Sequence, residues 1–343
     1  MKEFSDWLRP WLIFPLGYLN GWLVLLLFNR LQPLSSLLIT AIVLAFLLNL
    51  PIQLLQQRGL NRGAAIGLVF IVTLSCLALL SLVLVPLIIE ELSELVTNLP
   101  GLIDSGSQQL QAFQAWAIAQ QFPGNLSNLA ERGIGQLSQL LQATSSQLLY
   151  VILGTISRAI NILLLIVLTI FIVLGGENAW DGLFSWVPSP WSLPLQNSIQ
   201  STFRGYFASQ ALLAGILSIA QTIVFLLLDV PYAVLYGVSI GVAILIPYAS
   251  TLMIIIVSVL VALDNFSLGL KVFGVAIMVS FLNDNLLSPR IMSHSIGLNP
   301  IWLIVSLFLG GKTAGILGLV IAVPIASVVK QMADIRRLSS ESE

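Results

Sequence analysis

Asn283, Asp284, Asn285 and Arg290 stand close together in the stretch NDNLLSPRIMSHSIGLNP, residues 283–300, which also holds the only histidine, His294, and two prolines, Pro289 and Pro300. Only 8% of the chain is charged, and a charge in apolar surroundings is costly unless it is paired or solvated. Asp284, flanked by two amides, can offer oxygens to a monovalent cation or carry a proton. Its plainer reading is a helix-terminal carboxylate among lipid headgroups. Arg290 can pair with Asp284 or grip an anionic or hydroxyl-rich solute; as a plain anchor it would simply reach the interface. His294 has a side chain that titrates near neutral pH, but no cysteine or carboxylate cluster accompanies it. It reads as a solvated loop residue, and no metal site is expected.

Other polar groups lie inside apolar runs. Arg204, in FRGYFASQ, opens a hydrophobic segment together with Tyr206 and Gln210; it is either an interfacial anchor or part of a substrate or ion path. Tyr248 lies in the run GVAILIPYAS, beside Pro247. Lys312 sits midway along an overlong apolar segment and is either the exposed tip of a hairpin or a cation in a path. Arg158 must snorkel or face a polar interior. There is no Walker motif, no H-E-x-x-H pair and no supported Ser/His/Asp set. An enzyme and a cofactor are therefore not expected, and coupling to ATP hydrolysis within this chain is not either.

The elements that must position these groups are membrane helices. The chain has 343 residues, is 57% hydrophobic and has a mean hydropathy of +0.99, far from the roughly 25% charged residues of a soluble protein. The net charge of −1 gives no sign of nucleic-acid binding, and the single cysteine, Cys76, excludes a disulfide framework. At about 20 apolar residues per crossing, spans are expected near 12–29, 34–56, 64–88, 148–174, 206–228, 231–262, 266–287 and 299–330. The expected fold is thus an all-α polytopic membrane protein of about eight membrane segments. Residues 89–147, rich in Gln, Ser and Asn with apolar residues at helical spacing, read as extramembrane amphipathic helices. This divides the chain into N-terminal membrane helices (1–88), the amphipathic segment (89–147), a C-terminal membrane transport region (148–338) and a polar tail (339–343). The basic residues place both termini in the cytoplasm and 89–147 outside.

Two segments, 231–263 and 298–330, are too long for one crossing. Each would make a straight helix of about 50 Å against a hydrocarbon core of about 30 Å. Each carries helix breakers and hinges: Pro231, Gly237, Gly241 and Pro247 in the first, Pro300, Gly310, Gly311, Gly315, Gly318 and Pro324 in the second, with Pro289 between. Two decamers also match in outline, Gly241-x5-Pro247-x-Ala249-Ser250 and Gly318-x5-Pro324-x-Ala326-Ser327. Interrupted hydrophobic segments in paired positions point to a transporter's binding site, because unwound backbone is tolerated only where protein or a water-filled cavity satisfies it. If both segments cross once, Arg290 faces outside; if both fold back, it moves to the cytoplasmic side.

The runs VPYAVLYGVSIGVAILIPYAS and NLLSPRIMSHSIGLNPIWLIVSLFLGGKTAGILGLVIAVPIASVVK resemble the AI-2E family of bacterial membrane transporters. The shared features are a Pro-Tyr start, spaced glycines, an Ile-Pro-Tyr turn, a Pro-Arg-Ile-Met step and a Gly-rich finish. The resemblance covers nearly the whole chain. It departs after Ile246-Pro247-Tyr248, where Ala249, Ser250 and Thr251 stand in place of a usual glycine, and before it, where Ile244 and Leu245 replace a frequent polar residue. The family is named for export of autoinducer-2, a small polar furanosyl signal, and other relatives are regarded as sodium(lithium)/proton antiporters.

The resemblance implies a transporter in the bacterial inner membrane and a homo-oligomer, with a pentamer among the forms. The expectation is a secondary transporter or exporter of a small polar solute, its path between segments 231–263 and 298–330. Asp284, Arg290, Asn283, Asn285, Tyr248 and Arg204 are the candidate path residues. One alternative is a monovalent cation/proton antiporter working through Asp284. The other is a membrane scaffold that binds a partner through 89–147.

Overall fold

The computed structural model describes residues 19–21, 23, 26–27, 30–119, 155–187, 189–292 and 298–341. Most of the expected first span, residues 120–147, His294 and the side chain of Arg158 lie outside the described residues. Every element among those residues is helical: α1 (Leu34–Gln57), α2 (Arg62–Ala119), α3 (Thr155–Phe184), α4 (Ser189–Leu227), α5 (Ala233–Ala243), α6 (Ala249–Asp264), α7 (Phe266–Leu282), a π-helical turn (Asn283–Leu287), α8 (Ser288–Ile291) and α9 (Pro300–Glu341). Among the described residues five stretches are long and apolar enough to cross a membrane: Leu34–Gln57, Arg62–Gln109, Trp191–Leu227, Phe266–Ile291 and Pro300–Ile335. Many of their apolar side chains point outward; Ile71, Leu82 and Phe308 are 68%, 73% and 72% exposed, a surface suited to lipid. The chain is an all-α, multi-pass membrane protein.

α2 carries on unbroken for 58 residues, about 87 Å at 1.5 Å per residue, so the start of the 89–147 segment is a direct continuation of the third span. Two compact units emerge, one drawn from Met1–Leu54, Ile160–Arg204 and Ile296–Glu343, the other from Leu55–Ala159 and Gly205–Ser295.

In the second unit the overlong segment 231–263 is broken into α5 and α6. They are 11 and 16 residues long, about 16 and 24 Å, and neither alone spans the roughly 30 Å core. Between them the N–H groups of Ile244, Leu245 and Ile246 reach only three residues back, to the carbonyls of Gly241, Val242 and Ala243. Pro247, lacking an N–H, then ends the ladder, and Tyr248 turns the chain with a left-handed φ of 67°. The two arms pack on each other, and α6 packs on α7 after the turn at Asn265. At that turn the Asn265 side chain caps α7 by accepting from the Leu268 N–H. The arms enclose a core of Leu217, Phe225, Tyr236, Ile240, Ile254, Val257, Val272 and Ala276, to which α2 adds Leu95 and Leu99.

α2 lies across the ends of these arms and pairs their loose backbone groups. α5 begins without a side-chain cap of its own; the Glu91 carboxylate accepts instead from the Leu235 N–H at 2.6 Å, a negative charge at the positive end of a helix. Asn98 donates to the Tyr232 hydroxyl. The Gln109 amide donates to the carbonyls of Leu263 and Asp264, while its oxygen accepts from the Phe266 N–H. One side chain thus serves the end of α6 and the start of α7.

In the first unit α9 contains a second reversal. Ala314 and Gly315 leave the helix, Gly315 at φ 60° and ψ −138°, a region closed to residues with a Cβ. Beyond it the chain returns, so that a Cβ on Gly310 would strike the Gly318 carbonyl and lie 3.0 Å from the Ala322 methyl. Residues eight apart in a straight helix would be about 12 Å apart. Both overlong segments therefore fold back. The matching decamers do different work, however. Gly241 and Pro247 lead into the first reversal, whereas Gly318 lies beyond the second, and Pro324 is buried within the returning arm.

Close helix crossings rest on small residues. A Cβ on Gly237 would lie 2.6 Å from the Thr222 nitrogen, and one on Gly241 2.5 Å from the Ser218 nitrogen, so α4 and α5 touch backbone to backbone. Gly274 meets nothing within 4 Å. Gly241→Val should destabilise the protein by about 3 kcal/mol or more, read as a lowered thermal unfolding midpoint in detergent. Gly274→Ala should leave that midpoint unchanged; equal effects would mean the α4–α5 crossing is not close.

Candidate transport site

Within the second unit α4 and α7 run antiparallel. Gln221 on α4 donates to the Ala276 carbonyl at 3.0 Å and reaches the Ser280 hydroxyl at 3.4 Å. Twelve residues back along α4, Ser209 donates to the Ile291 carbonyl. The α4–α5 crossing pairs Thr222 with Gly237 and Ser218 with Gly241. Continuing the α4–α5 register brings the unwound tip, Ile244–Tyr248, to the level of Ala211–Gly215 on α4. Asn283 falls near that same level.

The α4–α7 seam is apolar in the main but holds an unusual run of neutral polar groups. Gln221 is fully buried, Asn283 and Ser280 are 2% and 9% exposed, and Ser258 on the adjoining α6 is 5% exposed. The Gln221 amide nitrogen is spent on Ala276, which fixes the direction of its oxygen; that Oε1 has no partner. Asn283 likewise donates to an Asp284 carboxylate oxygen at 3.2 Å, leaving its own Oδ1 unpartnered. Swapping either amide would set oxygen against oxygen, so both orientations are dictated by their neighbours. The Ser258 hydroxyl is the third buried polar group on these helices without a partner. An orphaned buried acceptor costs about 1–3 kcal/mol, a cost that an ordered water or a bound solute removes. Nearer Ile291, Gln210 donates to the Tyr206 hydroxyl, both buried.

Asn283 opens the π-helical turn. Pro289, six residues on, has no N–H to offer the Asn285 carbonyl, and its ring crowds that carbonyl. The preceding turn widens to i→i+5 bonding, with the Ser288 N–H reaching the Asn283 carbonyl. Such π turns recur at functional sites. Here the widening carries Asn283 into the seam while Asp284 and Asn285 remain exposed, Asn285 donating back to the Phe281 carbonyl.

The sequence candidates are thus only partly gathered. Asn283 and Asp284 touch. Arg290 is exposed, and among the described residues no ion pair joins it to Asp284. Six positions apart, they do not share the i, i+3 or i, i+4 spacing that brings helical side chains together. Tyr248 is 62% exposed at the hairpin tip. Arg204 belongs to the other unit, where its guanidinium donates to Gln53 at 2.6 Å. Lys312 is exposed, three residues before the Gly315 reversal. Sequence reasoning missed Gln221, Ser280 and Ser258. A lone amide in SIAQTIVFLL was the available signal, since a polar side chain inside a span is functional by default, but attention went to the charged residues.

The ends of the second unit are also fixed. Glu91, Asn98 and Gln109 lie at Tyr232, Leu235 and the 263–266 turn, whereas Ile291 lies at the opposite end beside Ser209. Arg290 and the 89–109 stretch therefore occupy opposite ends of the unit, as the folded-back alternative requires.

Comparison with known proteins now adds a decisive match: the family model described as AI-2E family transporter covers residues 12–337. The chain belongs to the AI-2E transporter family. Two proteins of Synechocystis sp., sll0063 and sll0060, whose names assign transport only by inference, are 31% and 28% identical to it. The first aligns over 92% of this chain and 81% of its own length, the second over 95% of each. The AI-2 transport protein TqsA of Escherichia coli (strain K12) is 23% identical over 85% of this chain and 83% of its own. This AI-2E family member is a membrane transporter by kinship, and its two reversals fall at Ile246-Pro247-Tyr248 and within the Gly-rich stretch at Gly315.

A structural role and a solute-binding role for the seam predict different stabilities. Replacing Gln221 by Leu removes a hydrogen bond to a carbonyl that keeps its helical partner and a longer one to the Ser280 hydroxyl, and also removes the orphaned oxygen. Gln221→Leu should shift stability by less than about 1 kcal/mol, whereas Ile240→Ala in the same core should cost about 2–5 kcal/mol. Thermal unfolding in detergent checks both. A Gln221→Leu loss as large as that of Ile240→Ala would make the seam structural.

Proposed function

We propose that this AI-2E family member is a secondary exporter of a small, neutral, polar solute, working in the bacterial inner membrane. The observation that carries this reading is the buried seam of unpartnered acceptors, Gln221 Oε1 and Asn283 Oδ1, which leads along α4 toward the level of the unwound α5–α6 tip. A hydroxyl-bearing solute stripped of water finds acceptors there, each worth about 1–3 kcal/mol when satisfied. A bare cation among neutral groups would face a far larger desolvation cost. The tip, with Pro247 and left-handed Tyr248, and the Gly310–Gly318 crossing supply the hinges. TqsA carries AI-2 in its name, and a molecule of that kind is the first solute to try.

In this reading the termini are cytoplasmic, residues 89–109 face outside, and Arg290, at the opposite end of its unit, faces the cytoplasm, in keeping with the positive-inside rule. The working form is a homo-oligomer and takes no nucleic acid or cofactor. The scaffold alternative gains nothing from 89–109, whose Glu91, Asn98 and Gln109 are spent inside the molecule.

A second reading, sodium(lithium)/proton antiport, rests on the Asn283–Asp284 hydrogen bond. It ties the buried amide to an exposed carboxylate able to take a cation or a proton in turn.

Everted vesicles separate the two. AI-2 should accumulate inside vesicles carrying the protein, and Gln221→Leu should lower the initial rate at least about tenfold, equivalent to about 1.4 kcal/mol, at equal protein level. Sodium- or lithium-dependent proton flux abolished by Asp284→Asn would replace this reading with antiport. Neither flux from folded protein would defeat both.

A further inference from the structure

The first unit holds an open groove of about 600 Å³ that the transport reading does not use, its apolar floor including Pro194 and Ile335. Its wall is one stripe of α4, with Asn197, Gln200, Ser201 and Arg204, facing Gln331 on the returning arm of α9. Two side-chain bonds tie the walls together: Ser198 donates to Gln331 at 2.6 Å, and Gln331 donates to Thr202 at 3.1 Å. The groove is therefore built by a specific pairing of helices.

Its charge is one-sided. No Asp or Glu lines it. Of the acids close by in sequence or packing, Asp181 is occupied by the Gln196 amide. Asp334, one turn beyond Gln331, is exposed, and among the described residues it forms no ion pair with Arg204. Arg204 is half-buried and held by a single neutral partner, Gln53, through Nη1. A guanidinium carries five N–H donors in a rigid plane, so Nε and Nη2 are left for a guest. The hydroxyls are already engaged, since Ser201 donates to the Asn197 and Ser198 carbonyls. The Asn197 and Gln200 amides supply the remaining donors. Donors plus an uncompensated cation, with no carboxylate, select an oxyanion over a neutral sugar or a metal ion.

Depth adds a second constraint. The apolar stretch of α4, Trp191–Leu227, has 37 residues, about 55 Å of helix. A core of about 30 Å cannot contain all of it, and the polar stripe from Asn197 to Arg204 is the part that leaves the hydrocarbon. A groove there stands at headgroup level.

We infer that the Arg204 groove is a phosphate-binding site, in which the guanidinium grips two phosphate oxygens side by side and the Asn197 and Gln200 amides donate to the others. The phosphate belongs either to an anionic phospholipid headgroup or to a free phosphorylated solute; both present the same oxygens.

The test uses the full-length protein. Equilibrium dialysis of the detergent-purified protein with radiolabelled inorganic phosphate reads the free anion. Native mass spectrometry after exposure to mixed phosphatidylglycerol/phosphatidylcholine nanodiscs reads the lipid. Saturable phosphate binding identifies a free solute as the source, and selective retention of phosphatidylglycerol alone identifies the headgroup. In either case Arg204→Gln should lower binding at least about tenfold. Should Arg204→Gln fail to fold for want of the Gln53 bond, Gln200→Glu, which puts a carboxylate in the groove and touches no tie, should produce the same loss. Binding of neither ligand by the wild type, or equal binding by wild type and the folded variants, would overturn the site. These readouts are of binding alone, so they stand or fall apart from solute export.

Discussion

Everything else in this molecule depends on how it satisfies backbone groups where long apolar helices break. A helix end exposes up to four N–H or C=O groups, and in hydrocarbon each unpaired one costs several kcal/mol. Splitting residues 231–263 into α5 and α6 creates such ends within or near the bilayer. At the tip the N–H groups of Ile244, Leu245 and Ile246 are met by carbonyls three residues back, while α2 lays Glu91, Asn98 and Gln109 across the hairpin's other ends, at Tyr232–Leu235 and at residues 263–266. The polar character of 89–109 is thus explained from within the fold. Its side chains are caps supplied from elsewhere in the chain to helices whose own sequences offer none at α5.

A second constraint is the lack of a strong hydrophobic drive between helices in lipid, which leaves close packing as the main source of attraction. The fold meets it with glycines placed where helices cross: Gly237 and Gly241 on Thr222 and Ser218, Gly269 on Ala262, and Gly310 on Gly318. Backbone contact at these points holds the hairpins shut in two separate units. It leaves the buried amides of Gln221 and Asn283 in a seam that is tight yet not fully paired. A transporter needs that combination, because a rigid frame must present groups whose hydrogen bonding is completed only by the passing solute.

Much of the fold was legible. Composition and run length fixed the all-α membrane class, and the excess length of 231–263 and 298–330 over the bilayer required breaks, which Pro247 and Gly315 provide. Local chemistry was enough there, since a missing N–H and a φ of 60° are properties of single residues. The apparent decamer repeat misled because glycine serves two ends: Gly241 permits a crossing before a turn, and Gly318 one after it. The end of the third span misled as well, because a drop in hydrophobicity marks where a helix leaves lipid and says nothing of where it stops.

The candidate site was less legible. Sequence alone determined that this chain crosses a membrane, that two of its segments must break, and that Asn283 and Asp284 sit beside one break; each follows from helix rise, bilayer thickness and residue chemistry. Only the tertiary structure decided which polar groups meet. Asp284 and Arg290, neighbours in sequence, turn to different surroundings, while Gln221 and Ser280, 59 positions apart, share a buried bond. The reason is physical. The energy of a buried polar group depends on whether a partner on another helix reaches it, and that register is set by glycine contacts and helix ends distributed over the whole unit.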